Sequence, residues 1–157
     1  MNKEERILMG VRDIYNKLNW LNKDKMEAAL QGYTSSEVHC IEYVEKNADS
    51  NVTKLAEFFY MTRGAISKLT KKLMQKGLIE SYQKSDNKKE IYFRLTERGK
   101  VVYKIHEDLH GEFHERDKAV FEQITEEQFG SMLDFLERYG KHLDAEIKKL
   151  GLEMKSE

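Results

Sequence analysis

Two groups of side chains have the types and spacing to do chemistry. The first is His106-Glu107-Asp108-Leu109-His110, an H-E-x-x-H pattern. Imidazoles four residues apart on a helix lie on one face, one turn apart, so they can share a zinc ion while the glutamate between them serves as a base. His114 continues the row, turned further round the helix, and His39 stands far upstream. The second group is the stretch 61–79, with five cationic side chains (Arg63, Lys68, Lys71, Lys72, Lys76) and no carboxylate. A helix with a packed back and an acid-free front can lie against a polyanion. Metal-assisted hydrolysis and phosphate recognition are therefore the chemistries to weigh.

Hydrolysis lacks a third ligand. Gly111 and His114 are at the wrong offsets for the metzincin extension, and Glu122, Glu126 and Glu127 offer no defined alternative. A zinc-dependent hydrolase built on residues 106–110 is the rival reading, and the missing ligand counts against it. Phosphate recognition gains from the way charge is divided. The chain as a whole carries −1, but residues 61–100 hold eleven Lys or Arg against four acids. That segment is thus +7 and the remainder −8. A basic face set against acidic flanks attracts phosphate whatever the total. It also argues against a second rival, a protein-interaction module that binds no operator.

The elements that must position these groups can be read from spacing. In 61–76, Ile66, Leu69, Thr70 and Leu73 form the buried stripe of a helix, with Thr62 as its cap and Gly77 as its left-handed stop. Residues 53–59 form a short preceding helix with Leu55, Ala56 and Phe59 inward, so 53–76 is a helix-turn-helix. Period-two alternation over 78–83 and 89–96 predicts two strands, with Asp86-Asn87 as their turn and Lys84, Lys88 and Lys89 at the tip. A hairpin directly after such a pair of helices is a wing. Upstream, 3–29 is a long helix whose Ile7, Val11, Ile14, Leu18 and Leu21 make a heptad-like seam, and 34–47 opens with a capping box of Thr34 and Glu37. Downstream, Thr96 caps a helix over about 97–120. Thr125 caps a last one reaching about residue 150, with a seam of Phe129, Met132, Leu133, Leu136, Tyr139, Leu143, Ile147 and Leu150. Long seamed helices flanking a small head predict a two-fold dimer.

With 157 residues, no proline and 39% apolar residues, the chain can bury a core as one domain of about six helices and a two- to three-stranded sheet. The fold class is mainly α with a small β wing. No apolar run approaches the roughly 20 residues that span a bilayer, and the polar start MNKEERILMG does not read as a signal peptide. The single cysteine, Cys40, excludes an internal disulfide framework and reads as a small core residue beside Ile41 and Val44. A cytoplasmic location is the expectation.

Nearly the whole chain resembles the MarR family of winged-helix transcription regulators. The most specific parts are 53–80 and 85–100. The family's "GL(I/V)" is Gly77-Leu78-Ile79, its wing motif is Asp86-Asn87-Lys88-Lys89, and its "LT-x-x-G" is Leu95-Thr96-Glu97-Arg98-Gly99. Two positions depart from the pattern. Lys88 stands where a wing arginine is usual, which weakens minor-groove readout because lysine is compact and strongly hydrated. Tyr60 stands where the turn between the paired helices commonly has glycine; a Tyr in a strained turn would cost about 1 kcal/mol, so a slightly reshaped turn is the expectation.

The resemblance implies a single domain over 1–157. The DNA-binding head spans 34–100, with its helix-turn-helix at 53–76 and its wing at 78–95. Dimerisation helices occupy 1–30 and 101–152. It implies a homodimeric repressor on a pseudo-palindromic operator of double-stranded DNA, with recognition helices entering major grooves roughly 34 Å apart. By position, Thr62, Arg63, Ser67 and Lys68 are the groove contacts, Lys71, Lys72 and Lys76 meet phosphates, and Lys88 and Lys89 serve the wing. No catalytic residue and no obligatory cofactor are implied. In the zinc-sensing branch, one histidine early in the second helix joins an H-x-x-x-H pair in the fifth. His39, His106 and His110 match those positions. That branch also draws a carboxylate from its first helix, where Asp24 and Glu27 are the candidates, and its second, cysteine-containing site has no clear counterpart. The competing reading is three solvated or core histidines, with an aromatic acid or other small molecule as effector.

Overall fold

The computed structural model describes residues 1–151, so the last position of the 101–152 segment and the chain end to 157 lie outside it. Six helices and one hairpin follow in order: α1 Lys3–Ala29, α2 Ser35–Lys46, α3 Val52–Phe59, α4 Arg63–Gln75, β1 Ile79–Lys84, β2 Asn87–Leu95, α5 Glu97–Glu122 and α6 Glu126–Lys149. Local capping chemistry sets most of these boundaries. Thr34 accepts from the Glu37 amide at 3.2 Å while the Glu37 carboxylate accepts from the Thr34 amide at 2.9 Å, closing the expected box. Thr125 and Gln128 close a second one, and Asn2 with Glu5 a third that sequence reading did not register.

The core lies in the head and continues along α5 as far as Phe113. Ile41, Leu55, Ile66, Leu73 and Leu78 are fully enclosed, joined by Val38, Val44, Phe93, Val102, Leu109 and Phe113. Of the expected α4 stripe, Ile66, Thr70 and Leu73 are buried and Leu69 half-buried. Thr70 is tolerated there because its hydroxyl donates to the Ile66 carbonyl at 3.0 Å. Helix α2 packs on α5, α3 on α4, and α1 on α5.

The wing is a two-stranded antiparallel sheet, extended by a single bridge from Ser50 to Phe93. Its register pairs Ile79 with Leu95, Glu80 with Arg94 and Tyr82 with Tyr92, then shifts at a bulge so that Lys84 meets Asn87. That bulge corrects the turn. The two connecting residues are Ser85 and Asp86, and Asn87 already belongs to β2. The Asn87 side-chain oxygen instead accepts from the Lys89 and Glu90 amides, each at 3.3 Å.

The "LT-x-x-G" residues lock α5 onto the end of α4. The Thr96 hydroxyl donates to the Gly77 carbonyl at 2.6 Å and accepts from the Gly99 amide at 3.1 Å. A Cβ at Gly99 would lie 2.0 Å from the Leu78 carbonyl oxygen, so only glycine permits this approach. The turn before α4 is not reshaped to spare Tyr60: it keeps the left-handed backbone glycine would take, at φ 53°, and the Tyr60 hydroxyl donates to Asp144 of α6 at 3.1 Å.

Helices α1 and α6 bury no residue in this chain. Their seams face outward: Ile7, Val11, Ile14, Leu18 and Leu21 on α1, and Met132, Leu133, Leu136, Tyr139 and Leu143 on α6, are all exposed. No described helix is long and apolar enough to cross a membrane.

Candidate nucleic-acid interface and metal-ligand cluster

Helix α4 begins where Thr62 accepts the Ala65 amide at 3.0 Å, leaving the free N–H groups of its first turn at the surface. Its buried back fixes what faces outward: Arg63, Ser67, Lys68, Lys71 and Lys72 are all exposed. Arg63 also donates to the Thr53 hydroxyl on α3, which holds the guanidinium at the start of the helix and leaves further donors on its fork. Lys88 and Lys89 are exposed at the start of β2.

Lys76 is placed differently from the expected phosphate contact. Its ammonium lies 2.7 Å from Glu37, donates to the Gly32 carbonyl at 3.0 Å and sits 5.3 Å from the centre of the Tyr33 ring. The reason is Glu37, a carboxylate 1% exposed that needs a counter-charge. Burial raises its pKa, but Lys76 and the Thr34 amide outweigh that and hold it below the ordinary carboxylate range. Lys84, read as a tip residue, is likewise turned inward and pairs with Asp49 at 2.5 Å.

A second constellation lies where α2 crosses α5. Glu42, His106 and His110 each bring a ligand-capable atom within 4.8 Å of the others. His106 is fully buried on the apolar face of α5, beside Val102, Leu109 and Phe113. Its Nε2 is 2.9 Å from Nε2 of His110, and its Nδ1 is 3.2 Å from Glu42 without making a well-formed hydrogen bond. Burial, and then the neighbouring His110, push the His106 pKa below the ordinary imidazole range, so the ring is neutral at pH 7. Burial acts upward on Glu42, yet Lys46 and the two imidazoles leave it below the usual carboxylate range. His39 is exposed, with its ring centre 5.8 Å from that of His106, and so flanks the group. Asp24 and Glu27, the first-helix candidates, line a groove at the α1–α2 turn with Gly32 and Tyr33. Glu42 was missed by sequence reading, although it follows His39 by one helical turn on α2.

The donor set suits zinc. Two nitrogens on a tetrahedral zinc would lie roughly 3.3 Å apart, given Zn–N bonds of about 2.0–2.1 Å. The imidazole pair is already within a small side-chain adjustment of that spacing. A carboxylate on the second nitrogen of a ligating histidine is the usual orienting arrangement. Cys40 is fully buried, and burial pushes its thiol up to about 12, which makes it an inert core residue as expected.

Comparison with known proteins bears on the segment that holds the first of these sites. The MarR family model matches residues 33–91, the segment holding α2, the helix-turn-helix and most of the wing. The chain is 28% identical to the HTH-type transcriptional regulator PchR of Bacillus subtilis over 150 residues, covering 87% of this chain and 89% of that one. It is 38% identical over 95 residues to the uncharacterized HTH-type transcriptional regulator YhjH of the same organism, covering 60% of this chain and 54% of that protein. The fold is shared with Streptococcus pneumoniae FabT, solved in complex with DNA (TM-score 0.75, 19% identity, 91% of this chain and 99% of that one). It is also shared with a MarR/EmrR family regulator from Acinetobacter (TM-score 0.69, 23% identity, 92% and 99%).

Proposed function

We propose that the chain is a DNA-binding transcriptional regulator of the MarR family, a cytoplasmic homodimeric repressor whose operator affinity is set by zinc at the α2–α5 crossing; the family model over residues 33–91 and the similarity to PchR support the family. The observation that carries the DNA reading is the acid-free outer face of α4, where Arg63, Ser67, Lys68, Lys71 and Lys72 stand together over a buried back. The dimer reading rests on the outward seams of α1 and α6, which water would otherwise cover at a cost. Two copies related by a two-fold axis present two such helices to a pseudo-palindromic duplex.

Arg63 and Ser67 read base edges, while Lys71 and Lys72 hold phosphate. Arg63→Ala then weakens binding by about 1–3 kcal/mol and relaxes sequence preference, whereas Lys72→Ala weakens all DNA about equally and lowers the salt slope by about one. Both are read by anisotropy on a duplex selected from a random pool, against scrambled DNA, over a salt series. Equal, sequence-independent losses for both variants overturn the division.

The effector reading rests on the buried His106 Nδ1 beside Glu42 and on the paired Nε2 atoms of His106 and His110. His106 and His110 would hold the metal, with His39 flanking them and Glu42 orienting His106. A ligand set shared by α2 of the head and α5, a helix leading to the dimer surface, would tie the two together and favour one spacing of the recognition helices. Protein purified without chelator, reconstituted and analysed for metal is expected to hold one zinc per chain and to change its operator affinity about tenfold. Metal far below one per chain, with operator affinity indifferent to zinc, ends this reading and leaves a small-molecule effector.

The H-E-x-x-H pattern does not serve hydrolysis. Glu107, the residue that would act as base, points to Lys46 at 3.5 Å. Its relatives are regulators, which are not enzymes.

A further inference from the structure

We propose that Asp49 is a positioning residue for DNA binding: it clamps the turn-side half of β1 to the head and so presents Lys88 and Lys89 at a fixed height beside the recognition helix. This rests on the reading of those two lysines as wing contacts.

Three consecutive residues between α2 and α3 grip both strands. The Asp49 carboxylate accepts from the Tyr82 hydroxyl at 2.6 Å and from the Lys84 ammonium at 2.5 Å, both on β1. The Ser50 carbonyl accepts from the Phe93 amide of β2 at 2.8 Å. The Asn51 side chain caps α3 through the Lys54 amide at 2.9 Å and reaches Glu90 of β2 at 3.4 Å. The same segment therefore starts the helix that packs on α4 and holds the hairpin. Asp49 sits at φ 58°, a left-handed conformation that Asp tolerates better than most residues. Lys54 donates to its carbonyl at 3.1 Å, fixing the turn from the other side.

The gripped side chains are themselves stacked. Tyr82 and Tyr92 are cross-strand partners with ring centres 5.5 Å apart. Arg94 lies 5.0 Å from the centre of the Tyr82 ring and Lys84 5.1 Å from that of Tyr92. Tyr92 is buried and Tyr82 half-buried. A two-stranded hairpin is marginal by itself, and this stack makes it a rigid plate with Asp49 as the fastening. One consequence concerns charge. Lys84, at the end of β1 next to the turn, is neutralised by Asp49, so the charges the wing offers DNA are the exposed Lys88 and Lys89 at the start of β2.

The test is a double-mutant cycle on a duplex selected with the wild-type protein from a random pool. In the wild type, replacing Lys88 and Lys89 by Ala is expected to weaken binding about tenfold and to reduce the salt slope by about two. In Asp49→Asn, which keeps the size and the left-handed turn, the same lysine replacements are expected to cost less than twofold, because the wing no longer holds its contact. Hydroxyl-radical protection of the flanking minor groove should disappear in Asp49→Asn, while protection of guanine N7 in the major groove persists. Tyr82→Phe removes only the hydroxyl and should give an intermediate result, which decides the matter if Asp49→Asn folds poorly. Lysine replacements that cost as much in Asp49→Asn and Tyr82→Phe as in the wild type overturn the clamp. Lysine replacements with no effect in the wild type overturn the wing reading beneath it.

Discussion

Lys76→Met separates a structural lysine from a DNA-binding one. Glu37 is 1% exposed, and its Oε2 has no hydrogen-bond partner, only the Lys76 ammonium 2.7 Å away. Its Oε1 keeps the Thr34 amide at 2.9 Å. Removing one partner of a buried pair costs roughly 3–5 kcal/mol. The Lys76 side chain is 31% exposed, so water can reach part of the gap. That access brings the cost below the fully buried range, to about 2–3 kcal/mol, which for a chain of this size is roughly 5–10 °C in Tm at matched protein concentration. The pH dependence gives a second handle. In the wild type the folded Glu37 pKa is lowered, so its stabilisation is present above the unfolded pKa and is lost as pH falls through the folded value. Without Lys76 the largest lowering contribution is gone, so the folded pKa moves up from its wild-type position. The variant then loses less on protonation than the wild type does, and its deficit shrinks as pH falls from 7 towards 4. Adding Glu37→Gln should recover much of the loss at neutral pH. The assay is thermal unfolding from pH 4 to 8, with the salt slope of DNA binding measured alongside. A variant that melts within about 1 °C of wild type and lowers the salt slope by about one would show that Lys76 is a phosphate contact after all.

Three further outcomes follow from other parts of the molecule. Gly99→Ala drives a methyl into the Leu78 carbonyl oxygen, 2.0 Å away, and should cost about 3 kcal/mol in urea unfolding; a change below about 1 kcal/mol would mean that α5 need not approach so closely. Tyr60→Gly relieves a left-handed backbone at the expense of an exposed hydrogen bond to Asp144, and should raise Tm by roughly 1–3 °C; a lower Tm would show that the contact with α6 outweighs the strain. Leu136→Glu, on the outward seam of α6, should yield monomers in sedimentation analysis and abolish operator binding, whereas an intact dimer would place the interface elsewhere.

What the sequence determined by itself was local. The capping boxes at Thr34 and Thr125, the Thr62 and Thr96 caps, the Gly77 stop and the 66-70-73 stripe of α4 all involve residues within a turn of one another. Interactions of that range are written directly in spacing, so helix boundaries, the helix-turn-helix and the wing were all legible. The charge asymmetry was legible too, because it is a property of composition. What only the tertiary structure decided was which of the charged residues are free to act. Lys76 and Lys84 look like their neighbours in sequence, yet carboxylates 39 and 35 positions away claim them. His106 reads as half of a helical pair, and only the crossing of α2 over α5 buries it and brings Glu42 to it. The hairpin turn moved to Ser85 and Asp86 because a bulge, set by pairing across the sheet, shifted the register. Side-chain type and spacing specify contacts along one helix or strand. A buried carboxylate takes whichever cation the packing of other elements brings near, and nothing local records that choice.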